Sequence, residues 1–188
     1  MMGQPLDAEL KVGGYLYGGW KRISITRSIE QIAGTFDLEV TDRWPGQPNA
    51  NPIMPGAPCQ VLLGGDPVIT GYVDDLNPSY DATSHSIRVT GRDKTGDLVD
   101  CSAIYKTGQW SNMKLDGIAR DLLAPFSIKV IVETDVGSAF PSFSIYPSET
   151  VFECLDRAAR MKAVLLTSNT DGDLVITRSG NSRSIDSM

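Results

Sequence analysis

Residues 20–44, WKRISITRSIEQIAGTFDLEVTDRW, decide the fold class. Ile23 and Ile25 alternate with Ser24 and Thr26, and Phe36, Leu38 and Val40 alternate with Asp37 and Glu39. A period of two predicts two strands, each with an apolar face turned inward and a polar face turned outward. Ile29, Ile32, Ala33 and Gly34 between them predict a short excursion before the second strand. The same texture continues downstream. Cys59 to Leu63 and Val68 to Val73 flank Gly64-Gly65-Asp66-Pro67, a hairpin in sequence form. Asn77 to Ser84 reads as a turn or loop, and Ser86 to Thr90 as a further strand with Ile87 and Val89 on one face. Between them, Trp44 to Pro58 is too dense in Pro, Gly and Asn for a helix or a central strand and is expected to be a long ordered loop.

The pattern changes near residue 100. Ser111 or Asn112 is placed to cap a helix carrying Leu115, Ile118, Ala119 and Leu122 on one face, ended by Pro125. Ile128 to Val132 reads as a strand. Ser148 and Glu149 precede a second helix bearing Val151, Phe152, Leu155, Ala158 and Ala159; Ser148 to Val151 lacks the acid of a full capping box. Ala163 to Thr167 and Leu174 to Thr177, joined by Asn169-Thr170-Asp171-Gly172-Asp173, predict a second hairpin. The expected architecture is mostly β: an N-terminal small β-barrel over residues 1–100, a small α+β domain over 101–178, and a polar tail or linker over 179–188.

Bulk properties narrow the function. The 188 residues carry a net charge of −6, which disfavours binding to the phosphates of nucleic acid. No apolar run has the length to span a bilayer, so membrane insertion by this chain is not expected. The N-terminus has no long apolar stretch of a secretory signal, so synthesis and assembly in a cytoplasm are expected. Cys59, Cys101 and Cys154 have no zinc spacing and read as free thiols.

No reactive constellation stands out. His85 is the single histidine and has no Ser or Cys partner at a recognisable spacing. Asp74, Asp75, Asp93, Asp97 and Asp100 raise a hydrolase or metal reading, but they lie near turns, where aspartate also bonds its own backbone. The 169–173 segment lacks the remaining ligands and the terminal Glu of a calcium loop. Gly13-Gly14 and Gly64-Gly65 match no phosphate-binding pattern. No catalytic residue, cofactor site or metal site is expected. Trp20, Trp44 and Trp110 are candidate interface anchors, Trp20 equally a core residue, and Trp44, Pro45, Ile53 and Met54, in the Pro-rich loop, are the candidate interface.

Taken together, residues 20–44, the Pro-rich loop, PGAPCQVLLGGDPVITGYVDD (55–75) and HSIRVTGRDKTGDLVDCSA (85–103) resemble the Mu-like phage tail baseplate hub family. That family is similar in overall design to the hub of T-even phages and of contractile injection systems. The most specific pieces are Ser28 to Phe36, Gly71 to Asp74 and Gly91 to Asp100, and the resemblance runs over about residues 10–178. It implies a non-enzymatic structural protein of the virion tail, assembled in the host cytoplasm. It implies a homotrimer in the full-length form, linking the tail tube to the central spike and touching baseplate wedge proteins. Family chains carry two related barrels, so three chains offer six to the tube. This chain stops after its α+β unit and is expected to be a fragment or a shortened homologue. A tail-tip cell-wall hydrolase and a small glycan-binding barrel are the alternative readings.

Overall fold

The computed structural model describes residues 7–29, 31–41, 53–80 and 85–178. Its first half is one antiparallel sheet. Strands β1 (Ala8–Val12) and β2 (Tyr15–Tyr17) form a hairpin; β3 (Arg22–Thr26), β4 (Thr35–Thr41), β5 (Pro58–Leu63), β6 (Asp66–Tyr80) and β7 (His85–Asp93) follow. The seven strands lie in the order β2-β1-β5-β6-β7-β4-β3. The predicted Gly64-Gly65 hairpin is present, with φ of 62° and 90° at the two glycines, the left-handed pair that a two-residue turn between twisted strands requires.

The sheet curls strongly. β2 and β3 are its two edges, and a flat sheet would hold them about 29 Å apart, six spacings of about 4.8 Å. Yet Tyr17 and Arg22 are close in sequence, and the chain between them spans at most about 18 Å. The curl has a visible cause. Gly71 pairs with Asp93 and Gly91 with Val73 across β6 and β7, with a bulge between Val73 and Asp75. A Cβ on Gly71 would lie 1.9 Å from the Arg92 carbonyl oxygen, and one on Gly91 would lie 2.3 Å from that of Tyr72. Only glycine permits this approach, and the bulge adds twist beside it. Among the described residues no ladder joins β2 to β3, so the sheet is curled and open where a closed barrel was expected.

Leu10, Leu38, Val61, Ile69 and Val89 fill the inside of the curl, each contributing about 1.5–3 kcal/mol of apolar burial. Phe36, Leu38 and Val40 face inward as their alternation predicts. Ile23 does not: it is 43% exposed, on β3 at the edge of the sheet. The expected turn at Asn77 is also replaced. Asn77, Pro78 and Ser79 continue β6 against Arg88, Ile87 and Ser86. Pro78 is tolerated because β5 pairs with β6 only as far as Tyr72, so the absent N–H faces no partner strand.

The second half begins with a short helix, α1 (Gly96–Asp100), and continues through β8 (Gln109–Met113), α2 (Leu115–Leu123), a 3₁₀ turn at Ala124–Phe126, β9 (Val130–Val132), β10 (Phe140–Ser144), α3 (Val151–Met161), β11 (Leu165–Ser168) and β12 (Leu174–Thr177). Both expected helices bury the expected residues, among them Leu115, Ile118, Leu122, Leu155 and Ala158. Their caps differ from expectation. Ser111 and Asn112 belong to β8, where Ser111 pairs with Ser142, and Lys114 stands at the α2 cap position. α3 starts at Thr150, whose hydroxyl accepts from the Glu153 N–H at 3.2 Å while the Glu153 carboxylate accepts from the Thr150 N–H at 2.8 Å. That is a complete capping box, two residues later than the Ser148 reading. β11 and β12 form the predicted hairpin, and β9 joins β12 in parallel.

Candidate functional site

The carboxylates gather, but around a cation. The bulge carries Asp74 out of the ladder toward Arg92. Arg92 Nε lies 2.9 Å from Asp74 Oδ2 and Nη1 lies 2.7 Å from Asp100 Oδ2. Donating hydrogen bonds to Asp100 and then to Asp74 holds the guanidinium even more firmly protonated than usual. Asp97 faces the same group from α1. Burial pushes its carboxyl above the ordinary range; Arg92 opposes that shift, and Asp100 and Asp74 add to it. Asp74, Arg92 and Asp97 line a cavity of about 260 Å³ with Gly56, Tyr72, Asp93 and Gly96. A glycosidase pair needs two carboxyls free to flank a bond. Here the guanidinium occupies the space between Asp74 and Asp100, and the arrangement is that of a structural ion cluster.

The remaining polar candidates are also tied to backbone. Asp75 accepts from the Leu76 N–H at 2.8 Å and the Asn77 side chain at 2.9 Å. Asp93 is buried, at 2% exposure, and accepts from the backbone N–H groups of Gly34 and Thr95. Asn169 Oδ1 accepts from the N–H groups of Asp171 and Asp173, and Asp173 Oδ1 accepts from the Lys129 N–H, so 169–173 is the tight turn its composition predicts. His85 opens β7, and its side chain lies outside the described residues. Burial pushes the thiols of Cys59 and Cys154 up to about 12, which leaves little thiolate at neutral pH, while Cys101 is exposed. Among the described residues no group of three or more His, Cys, Asp and Glu has metal-binding geometry.

The candidate interface divides. Ile53 is 1% exposed and packs into the core of the curled sheet, whereas Met54 beside it is 61% exposed. Trp44 and Pro45 lie outside the described residues. Trp110 is core: it stacks on Tyr105 with ring centroids 4.4 Å apart, and its indole N–H donates to Asp121 at 2.8 Å. Trp20 is half-buried against the first core. The sheet edges supply exposed apolar side chains that the alternation had assigned inward or left unread, Tyr15 and Leu16 on β2 and Ile23 on β3.

One feature escaped sequence reading altogether. Arg157 on α3 lies over the rings of Tyr146 and Phe143, 4.0 and 4.4 Å from their centroids, and makes a fork of bonds to Glu149 at 2.8 and 2.9 Å. Its hydrogen bond to Arg157 holds Glu149 below the ordinary carboxylate range. Tyr146, Glu149 and Arg157 line an open groove of about 680 Å³ with Pro147 and Met161. The partners are separated along the chain, and no short motif announces them.

Comparison with known proteins settles what this scaffold is. Over 175 residues the chain is 43% identical to the baseplate hub protein gp44 of Escherichia phage Mu, an alignment covering 92% of the chain. The chain belongs to the Mu-like baseplate hub family. Residues 7–93 match the family described as Mu phage baseplate assembly protein GpP-like, N-terminal, and residues 95–178 match baseplate hub protein gp44-like, second domain. The crystal structure of a 43 kDa tail protein from prophage MuSo2 of Shewanella oneidensis superposes with a TM-score of 0.88 at 49% identity, over 97% of this chain and 58% of that one. A tail protein from Neisseria meningitidis MC58 superposes with a TM-score of 0.80 at 26% identity, over 92% of this chain and 50% of that one. This hub-family chain spans 46% of the length of the Mu protein. The two family regions meet inside the Gly91–Asp100 stretch, where β7 passes into α1.

Proposed function

We propose that this chain is a rigid structural module of the central baseplate hub in a Mu-like contractile tail. In that role it forms, with the rest of the hub protein, a trimeric ring on the tail axis between tail tube and spike. The observation that carries the reading is continuous 43% identity to a baseplate hub protein along 92% of the chain. The curled sheet acts as a barrel-like unit whose outer surface stacks on neighbouring rings, and residues from about 95 onward act as a second unit. Exposed Met54, with Trp44 and Pro45 from the same Pro-rich stretch of sequence, is the proposed contact with a neighbouring subunit. Closed rings need repeated, self-consistent surfaces and no substrate site. The tying of Asp74, Asp93 and Asp100 into structural bonds supports a non-enzymatic role.

Purified tails test this directly. Antibodies to the chain should decorate the tail end opposite the head, and quantitative mass spectrometry should count about three copies per particle, as a trimeric ring requires. Absence from particles refutes the assignment. A peptidoglycan-digestion assay on the same protein separates the hydrolase reading: robust activity abolished by changing Asp74, Asp93 or His85 would replace the structural role with a catalytic one.

A further inference from the structure

The two halves meet at one buried carboxylate. Asp93 is the last residue of β7, and its two carboxylate oxygens together bond the curled sheet, the link into α1 and the far unit. Oδ2 accepts from the Gly34 N–H at 2.9 Å and from the Ser168 hydroxyl at 2.7 Å. Oδ1 accepts from the Thr95 N–H at 3.0 Å and from the Thr95 hydroxyl at 2.5 Å. Gly34 lies between β3 and β4 of the curled sheet, Thr95 is the link into α1, and Ser168 ends β11 in the far unit. One side chain therefore reads three segments at once.

The proton and charge bookkeeping explains why an acid sits there. The Ser168 hydroxyl has one proton and gives it to Asp93, so its lone pairs face Arg27. Arg27 Nη2 donates to the Ser168 carbonyl and lies 3.4 Å from the Ser168 hydroxyl oxygen, and Nη1 donates to the Val68 carbonyl at 3.3 Å. Carboxylate, hydroxyl and guanidinium form a charge-assisted chain, from an anion and a cation of the first unit through a hydroxyl of the second. The surroundings reinforce the match. Lys94 N–H donates to the Thr70 carbonyl at 3.2 Å, and a Cβ on Gly172 would come within 2.5 Å of that same oxygen, so the β11–β12 turn is seated on β6. Ile32 of the first unit and Leu98 of α1 insert into the second core.

We propose that the Asp93–Ser168–Arg27 chain is an orientation lock, with Asp93 as the positioning residue that makes the two units move as one body. Adjacent units otherwise default to relative motion unless a large apolar interface prevents it. A charge buried at the join is stable in one arrangement only, since any rotation strips it of donors it cannot recover from water. The inference rests on geometry and stands whether or not the hub assignment does.

Spin labels report it. In a Cys101→Ser background, with the remaining Cys59 and Cys154 buried, Lys11→Cys and Lys106→Cys place one label on each unit. Pulsed dipolar spectroscopy on the full chain should give a single narrow distance distribution. Asp93→Asn, which swaps one acceptor oxygen for a donor, should broaden it about twofold, as released inter-unit motion would. Ser168→Ala should broaden it to the same extent, and the double variant no further, because the chain is already cut. Should Asp93→Asn fail to fold, the smaller Ser168→Ala change decides alone. Folded variants with an unchanged width, or a double variant that broadens by the sum of the two, overturn the lock.

Discussion

Alanine at Gly71 is the sharpest probe of how this sheet acquires its curl. The backbone there is extended strand, so no left-handed strain attends the change, and alanine gains about 0.4–1 kcal/mol by restricting the unfolded chain. Against that, the new methyl group would lie 1.9 Å from the Arg92 carbonyl oxygen and 2.5 Å from Asp93 Cα. Both are backbone atoms, so no side chain can swing away. Overpacking of this kind costs about 1–3 kcal/mol, here at the upper end. Parting β6 from β7 at Gly71↔Asp93 and Tyr72↔Arg92 also loosens one or two ladder bonds worth about 1 kcal/mol each. The net is a loss of about 3–5 kcal/mol, and at roughly 2–4 °C per kcal/mol for a chain of this size Tm falls by about 6–20 °C. Gly65→Ala is the matched control. It has φ of 90° with nothing within 4 Å of the added Cβ, so only about 1–2 kcal/mol of left-handed strain is expected. Urea unfolding of the three proteins in parallel measures both. If Gly71→Ala costs no more than Gly65→Ala, close strand approach is not what curls the sheet.

Three further outcomes are expected. Thr150→Ala removes the hydroxyl half of the α3 capping box and should cost about 0.5–2 kcal/mol by denaturant unfolding, with Ser restoring most of it. Glu149, held low chiefly by its hydrogen bond to Arg157, contributes stability that is present above its unfolded pKa and lost as pH falls through its lower folded value. Glu149→Gln should therefore flatten the decline of stability below about pH 4.5, and an unchanged acid limb in a pH series of unfolding curves would contradict this. Ellman's reagent on the native protein should find one fast thiol, Cys101, and all three cysteines only in denaturant; rapid reaction of Cys59 or Cys154 would be incompatible with their burial.

The local parts of the fold were legible where a short run of residues carried the whole signal. Phe36-Asp37-Leu38-Glu39-Val40 specifies its own inward face, and Gly64-Gly65 and Asn169 to Asp173 specify their own turns. Features that depend on partners far along the chain were not. Ile23 has the same alternation as Leu38, and only its place at the sheet edge leaves it exposed. Asn77-Pro78-Ser79 has turn composition, yet pairing with β7 holds it extended. The α3 cap is the exception: Thr150-Val151-Phe152-Glu153 is a local signature, and Ser148 two residues earlier drew the reading away from it.

The candidate site was legible only as a set of residue types. Sequence places Asp74, Asp93, Asp97 and Asp100 near turns; it cannot say that Arg92 stands between two of them or that Asp93 turns to the interior. That distinction separates a catalytic cluster from a structural one. A carboxylate used for chemistry must keep a lone pair and a path to substrate, whereas here Asp74 and Asp100 are bound to one guanidinium and Asp93 to four donors. The two devices that set the shape of this chain, the Gly71–Gly91 crossing and the Asp93 junction, lie at the same end of the β6–β7 register. Gly71 faces Asp93 directly in that register. A change that parts the strands at Gly71 therefore shifts the carboxylate as well, and loss of curl and loss of inter-unit order should appear together in Gly71→Ala, whereas Ser168→Ala should release the junction and leave the curl intact.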